Sequence, residues 1–244
     1  MSQRVAIIPA RLASTRFPEK VLADVAGAPL IQRVREAALR CRALDRVVVA
    51  ADSARIVRAL EPFGAEVALT REDHPNGTSR LGEAADALGL PDDAVVVNLQ
   101  GDEPGVEPAV IEAAIDALET SGAPMATVGS PFAEGEDPAS PNIVKVVRDA
   151  RGRALYFSRA LIPHHRDAGE PAVAAPLKHV GLYVYRRGFL RTYAALPPTP
   201  LEETEKLEQL RALEHGHAIA VAVAMARHRG IDTPEDLSAY LARR

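Results

Sequence analysis

The most constraining stretch of the chain is Ala94-Val95-Val96-Val97-Asn98-Leu99, which runs straight into Gln100-Gly101-Asp102-Glu103-Pro104. A strand with apolar side chains on both faces has no wet side, so it must lie inside a sheet covered on both sides, the setting of parallel α/β proteins. Val5-Ala6-Ile7-Ile8 and Val47-Val48-Val49 repeat the pattern. Amphipathic segments separate these runs. From Pro29, read as a first helical position, Leu30, Val34, Ala37, Cys41 and Leu44 form one stripe, while Arg33, Arg35, Glu36 and Arg40 point away from it. Ser53 caps a helix that reaches Leu60 and is ended by Pro62 and Gly64. A strand over Glu66–Thr70, helices over Ser79–Leu88 and Ala109–Thr120 and a strand over Met125–Val128 complete the series. Right-handed crossovers fold such a βαβαβ order into an α/β, doubly wound, mostly parallel sheet.

The second half changes character. Val144-Lys145-Val146-Val147 and Ala154-Leu155-Tyr156-Phe157 flank the turn signal Asp149-Ala150-Arg151-Gly152, which predicts an antiparallel hairpin extension. Pro163–Pro176 reads as a mobile loop, His179–Tyr185 as a strand, Glu202–His215 as one helix and Ile219–Val223 as a last strand. Thr233 caps the terminal helix, with Pro234 at its first position. The 244 residues are expected to form a single domain.

Charge and composition narrow the function classes. With 29 Lys+Arg against 33 Asp+Glu, the net charge is −4, so no basic field exists to hold nucleic acid or an anionic membrane, and any phosphate must be gripped locally. Cys41 is the only cysteine, which excludes an internal disulfide or a Cys-based zinc site and fits a cytoplasmic protein. The longest apolar run, Ala218–Ala226, has nine residues, about half of what a membrane span needs.

In open α/β sheets, ligands sit beyond the carboxyl ends of the strands. The loop after the first strand, Pro9 to Lys20, places Arg11, Arg16 and Lys20 among small and hydroxyl residues, as a triphosphate site or as a solvated basic loop. It carries neither G-x-x-x-x-G-K-[ST] nor G-x-G-x-x-G, so a P-loop ATPase and a standard dinucleotide site are disfavoured. Gly101 lets the chain turn at the end of the central strand and put Asp102 in the crevice. A carboxylate there suits Mg²⁺, which takes few protein ligands, and Asp232 is the best second one. The alternatives are a turn aspartate at 102 and a helix-flanking acid at 232. Asp73-His74-Pro75-Asn76-Gly77-Thr78-Ser79-Arg80 puts a tight Asn-Gly turn against a helix start, which can read a nucleobase edge or simply cap the helix. Ser158-Arg159, Lys178-His179 with Tyr183, and Glu205 to Arg211 are further polar sets, and a lone His179 is more often a structural histidine than a catalyst.

These segments together carry a family resemblance. Pro-Ala-Arg-x-x-Ser-Thr-Arg-x-Pro-x-Lys, Asn-Gly-Thr-x-Arg, Val-Asn-Leu-Gln-Gly-Asp-Glu-Pro, Tyr-Phe-Ser-Arg, His-x-Gly-x-Tyr, Leu-Glu-Gln-Leu-Arg and Asp-Thr-Pro-Glu-Asp-Leu occur in that order over nearly the whole chain. The chain so resembles the 3-deoxy-manno-octulosonate (Kdo) cytidylyltransferases. The resemblance implies a Rossmann-like nucleotidyltransferase fold and a Mg²⁺-dependent transfer of CMP from CTP to Kdo, for lipopolysaccharide-type sugar activation, in a homodimer, with 1–130 mainly nucleotide-binding and 131–244 contributing the sugar-acid pocket and dimer contacts. It implies Arg11, Ser14 and Lys20 on the triphosphate, Gly77, Thr78 and Arg80 on the cytidine side, and Asp102 and Asp232 on the metal. Arg11 and Lys20 join those two aspartates as the catalytic set. Gln100, Arg159, His179, Tyr183, Glu208 and Gln209 would line the sugar-acid pocket, with Arg159 facing the substrate carboxylate. No side chain stands out as a general base. Another sugar acid, or a nucleotide-binding module without turnover, are the competing readings. Two positions depart from the family pattern: Glu19 stands where Gly is usual, and Ser79 where an acidic residue is common. Glu19 is expected to point outward, with Arg16 able to neutralise it.

Overall fold

Val5, Ala6, Ile7 and Ile8 are fully buried, so β1 (Arg4–Ala10) has both faces covered, as its continuous apolar run requires. The computed structural model describes residues 2–14, 17–74, 76–166 and 174–242. Residues divide into two compact units, one made of Met1–Glu112, Tyr185–Ala194 and Arg227–Arg244, the other of Ala113–Val184 and Ala195–Ala226.

In the first unit β1 pairs in parallel with β2 (Arg46–Ala51) on one side and β4 (Val95–Asn98) on the other, so that Ile7 stands opposite both Val48 and Asn98. β3 (Glu66–Leu69) adds in parallel outside β2, giving the order β3-β2-β1-β4. The crossovers are α1 (Leu30–Leu39), α2 (Ala54–Leu60) and α3 (Gly77–Ala87). Leu30, Val34 and Ala37 of α1 are buried with no exposed surface, which is the stripe the sequence shows. Pro29 is the N-cap of α1 and not its first residue; its extended backbone stops the chain before the helix without needing an N–H. Asn76 likewise forms no tight turn with Gly77. Its side chain accepts from Ser79 N at 2.9 Å, which caps α3 and makes Gly77 the first helical residue.

After β4 the chain enters α4 (Pro108–Ser121). Two later elements return to the first unit, α5 (Arg187–Ala195) and α8 (Pro234–Leu241). α5 is absent from the sequence reading because Arg186-Arg187-Gly188 looks like the polar end of a strand. Arg187 N donates to Ala94 O at 2.8 Å and its guanidinium to Asp92 at 2.6 Å. This anchoring buries Phe189, Leu190 and Tyr193. α8 has the expected cap: Thr233 and Asp236 form a reciprocal capping box, with Pro234 at the first helical position.

In the second unit β5 (Met125–Pro131) pairs in parallel with β9 (Ile219–Val223), and β8 (Leu177–Arg186) lies on the other side of β5. β6 (Lys145–Arg148) and β7 (Ala154–Ser158) form the antiparallel hairpin read from the sequence, and β6 also pairs antiparallel with β8. Asp149 Oδ1 closes its turn by accepting from the N–H groups of Arg151 and Arg153, each at 2.8 Å. The expected helix over 202–215 is two helices, α6 (Pro200–Glu205) and α7 (Gln209–Glu214). Lys206 breaks them with φ 55, a left-handed cap that composition does not reveal. Of the expected Pro163–Pro176 loop, residues 167–173 lie outside the described residues.

Candidate active site

Within the first unit the ends of β1 and β4 and the start of α3 meet around Pro9. A Cβ on Gly101 would lie 2.7 Å from Pro9 O, so only glycine lets the loop after β4 pass this close. A Cβ on Gly77 would lie 3.6 Å from Pro9 Cγ, an ordinary contact. Three segments distant in sequence so share one rim, and each carries residues read above as nucleotide or metal ligands.

Asp102 and Asp232 are brought together through Lys20. Its ammonium donates to Asp102 Oδ2 at 2.6 Å, Asp232 Oδ1 at 2.8 Å and Ile231 O at 3.1 Å. Ile231 N in turn donates to Asp102 O at 2.9 Å, and Asp236 Oδ2 accepts from Asp232 N, which ties the Asp232 backbone to the cap of α8. Burial works against a charged Lys20, but the charges and hydrogen bonds of Asp102 and Asp232 outweigh it and hold the ammonium above its usual range. A cation thus already sits where three oxygens converge. Two carboxylates and a carbonyl are a hard, all-oxygen donor set with few protein ligands, which is the set Mg²⁺ accepts, so the residues present fit that ion. Among the described residues no group of three or more His, Cys, Asp or Glu is arranged to hold a metal.

The loop after β1 is held from behind. Asp52 Oδ1 accepts from Leu12 N at 3.2 Å, Asp52 N donates to Ala10 O at 3.2 Å, and Asp52 Oδ2 lies 3.6 Å from the Arg80 guanidinium. Arg80 is buried and also donates to Thr70 Oγ1 and Arg71 O. Burial lowers its pKa, partly offset by Asp52 and Glu83. Arg80 therefore braces the loop through Asp52, while Arg11 on the same loop is exposed. Ser14 is half-buried, Thr78 buried and Gly77 exposed. Glu19 points outward as expected, paired with Arg55; Arg16, its expected partner, lies outside the described residues.

In the second unit Arg159 lies at the end of β7. Its Nε donates to Glu205 O at 2.8 Å and Nη1 to Pro141 O at 3.1 Å. The Glu205 carboxylate takes Ser158 Oγ at 2.6 Å and Arg159 N at 2.9 Å, bonds that hold its pKa below the usual range although burial opposes them. Lys145, with no exposed surface, donates to the carbonyls of Ser140, Ile143 and Arg159. His179 contacts the rings of Phe157 and Tyr183 at 5.0 and 5.4 Å between centroids. Burial pushes its imidazole down to about 3, so the ring is neutral near pH 7. Thr127 Oγ1 lies within hydrogen-bond distance of His179 Nε2, Val180 O and Leu182 O. Its one proton goes to a carbonyl, so Nε2 carries the imidazole proton and Nδ1 is left as an acceptor. Gln209 is buried and its Nε2 has no hydrogen-bond partner. Glu208 is exposed, and Gln100 is half-buried in the first unit.

Comparison with known proteins adds to this geometry. The cytidylyltransferase family profile matches residues 5–219. The 3-deoxy-manno-octulosonate cytidylyltransferase of Syntrophobacter fumaroxidans is 53% identical over 238 residues, covering 97% of this chain and 95% of its own. That of Syntrophotalea carbinolica is 50% identical over 239 residues, covering 95% and 94%. The chain belongs to the 3-deoxy-manno-octulosonate cytidylyltransferase family. A solved structure of CMP:2-keto-3-deoxy-manno-octonic acid synthetase complexed with CTP matches with a TM-score of 0.92 at 40% identity, over 99% of this chain and 98% of that one. The α/β, mostly parallel fold read from the sequence is the fold of this family.

Sequence reasoning about this cytidylyltransferase missed the residues that hold the site in place. Asp52 stands directly after a buried strand, where a carboxylate faces the ligand end of the sheet, and that position was its signal. Lys145 interrupts an apolar strand. Glu205 lies in the polar segment Glu205 to Arg211 but has no role legible there, because its partners Ser158 and Arg159 come from the end of β7.

Proposed function

We propose that this cytidylyltransferase moves CMP from CTP to the anomeric hydroxyl of Kdo with release of pyrophosphate, as a Mg²⁺-dependent, cytoplasmic homodimer. Family membership gives the 3-deoxy-manno-octulosonate cytidylyltransferase activity. The metal, the residue roles and the assembly are our reading. The convergence of Asp102, Asp232 and Ile231 O on one cation carries it.

CTP brings about four negative charges, and its α-phosphorus must be attacked by a second anionic substrate, so cancelling charge is the main task. Arg11, exposed on the loop after β1, offers a guanidinium to the triphosphate. Ser14 adds a hydroxyl, and Gly77 and Thr78 present the start of α3 to the cytidine side. Asp102 and Asp232 would hold Mg²⁺, which screens the triphosphate and acidifies a bound hydroxyl. With those carboxylates engaged, Lys20 turns its ammonium from them to the pyrophosphate oxygens and steadies the leaving group. Arg80, tied to Asp52, keeps the loop in place behind the cytidine.

For the sugar acid, Arg159 supplies the cation for the carboxylate. Gln209 Nε2, buried and unpartnered, gains a sugar oxygen as acceptor. His179 Nδ1 accepts from a sugar hydroxyl, and Tyr183 and Glu208 complete the set in the second unit. A neutral His179 donates no proton to the leaving group, and no side chain is assigned as general base.

Pyrophosphate release with each nucleoside triphosphate crossed against Kdo and related sugar acids, with Mg²⁺ or with EDTA, tests this directly. CTP with Kdo and Mg²⁺ is expected to give the highest kcat/KM. Full activity in EDTA would remove the metal from the mechanism.

A further inference from the structure

The segment carrying Asp232 is fastened to the loop carrying Asp102 by several contacts, and one set of them is made by a buried histidine with no part in the chemistry above. The His228 side chain is 2% exposed, with Nδ1 2.5 Å from Glu107 Oε2 and Nε2 3.5 Å from Glu103 Oε2. Arg227 N donates to the other Glu107 oxygen at 3.0 Å, and Ile231 N to Asp102 O at 2.9 Å. A Cβ on Gly105 would lie 3.3 Å from His228 Cβ, so the glycine leaves room for the ring between its two carboxylates.

We propose that His228 is a positioning residue that sets the spacing of Asp102 and Asp232. The inference rests on the metal role given to those two side chains. Neither aspartate lies within a helix or strand, so their separation is fixed only by what joins the two segments. Beside the carboxylates the segments are joined by the Ile231 N to Asp102 O bond and by the Lys20 ammonium, which bridges Asp102, Asp232 and Ile231 O; with the ammonium displaced by a metal, the backbone bond by itself would leave the segments free to swing about it. Glu107, at the foot of α4, supplies the second fastening by accepting from His228 with one oxygen and from Arg227 N with the other. His228 also reaches Glu103, the neighbour of Asp102. With two separated fastenings the segments form a frame; with one they form a hinge. A carboxylate pair must hold its geometry within a fraction of an ångström to share a hard cation, which is why groups that orient ligands matter nearly as much as the ligands.

The test is a Mn²⁺ titration of the CTP-free enzyme, followed through the electron paramagnetic resonance of the free ion, for the unchanged protein and for His228→Ala, His228→Gln, Glu107→Gln and Asp102→Asn. His228→Ala is expected to weaken Mn²⁺ binding about tenfold, Glu107→Gln less in the same direction, and His228→Gln to recover part of the loss. The KM for the sugar acid stays within about twofold in each, a split that a general loss of structure would not produce. Should Asp102→Asn bind Mn²⁺ as tightly as the unchanged protein, the metal reading itself falls. Should Asp102→Asn lose the ion while His228→Ala keeps it, only the role of His228 is overturned. If His228→Ala does not fold, Glu107→Gln and His228→Gln decide, and normal Mn²⁺ affinity in both overturns the proposal.

Discussion

Glu19 Oε2 accepts from Arg55 Nη2 at 2.7 Å, while the Glu19 backbone holds the left-handed conformation at φ 54, ψ 26. The two facts explain each other. The chain needs a left-handed residue at position 19 to turn into the short 3₁₀ helix Lys20–Leu22 and aim Lys20 inward. Glycine, the residue that the resemblance leads one to expect there, takes that shape without strain. Here a glutamate takes it and turns its carboxylate to Arg55, whose guanidinium lowers its pKa.

Glu19→Gly is therefore expected to keep turnover and to raise the Tm slightly, since relief of a strained backbone outweighs loss of a solvent-exposed pair. The carboxylate is already neutralised, so the KM for CTP should change by less than about tenfold, and less still at high salt. Loss of activity rescued by excess Mg²⁺ would make Glu19 a metal ligand and overturn this account of the loop.

Asp102→Asn keeps the shape of the loop but removes one of the two charges that face Lys20. Turnover should fall by at least about 100-fold, because a metal that stabilises charge in the transition state is held more weakly. The Tm should change little beside that loss. A near-normal kcat at saturating Mg²⁺ is the outcome that excludes a metal role.

Lys20 acts as a resident cation, and its removal should be felt most when no other cation replaces it. Lys20→Met leaves Asp102 and Asp232 facing one another, which costs roughly 1–2 kcal/mol of stability after allowance for solvent screening. In EDTA the variant should melt below the unchanged protein. Mg²⁺ should then raise its Tm more than that of the unchanged protein, where the ion must displace an ammonium. Equal Mg²⁺ shifts in the two proteins would separate Lys20 from the cation site.

Much of the fold was legible because burial is written into composition: Val95-Val96-Val97 and Val5-Ala6-Ile7-Ile8 have no polar face to offer. What escaped depended on single backbone angles and distant partners. Lys206 at φ 55 splits a helix that the apolar spacing of 202–215 draws as continuous, since a left-handed lysine leaves no mark on the pattern. The acids and cations of the first unit were readable as candidates from strand ends. Their arrangement was not, because Lys20, Asp102 and Asp232 come from three loops far apart in sequence and meet only in the folded chain. Glu205 and His228 were invisible as roles for the same reason.

Arg159→Ala is expected to raise the KM for the sugar acid far more than that for CTP. A charge-assisted pair is worth roughly 1.5–3 kcal/mol, or about 10- to 150-fold. Arg159 also donates to Glu205 O and Pro141 O, so some loss of Tm accompanies the change. Equal weakening of both substrates would give Arg159 a structural role alone. Arg159→Lys keeps the charge but loses the fork, and should recover only part of the affinity.

His179 ties acid stability to the second unit. In the unfolded chain its pKa is near the ordinary 6.5, and in the folded protein burial holds it at about 3. Between these values the unfolded state binds the extra proton, so stability grows as the pH rises from about 3 to about 6.5 and is lost on acidification through that window. The slope is roughly 1.4 kcal/mol per pH unit for one proton, and the whole contribution at most roughly 5 kcal/mol. His179→Gln retains an N–H for Thr127 Oγ1 but cannot titrate. Urea unfolding from pH 4.5 to 7.5 should therefore show the unchanged protein losing stability relative to the variant below about pH 6, with a constant difference above pH 7. A difference that stays flat across the whole range would mean that His179 is not kept neutral by burial, and it would remove the ground on which the imidazole is set aside as a proton donor.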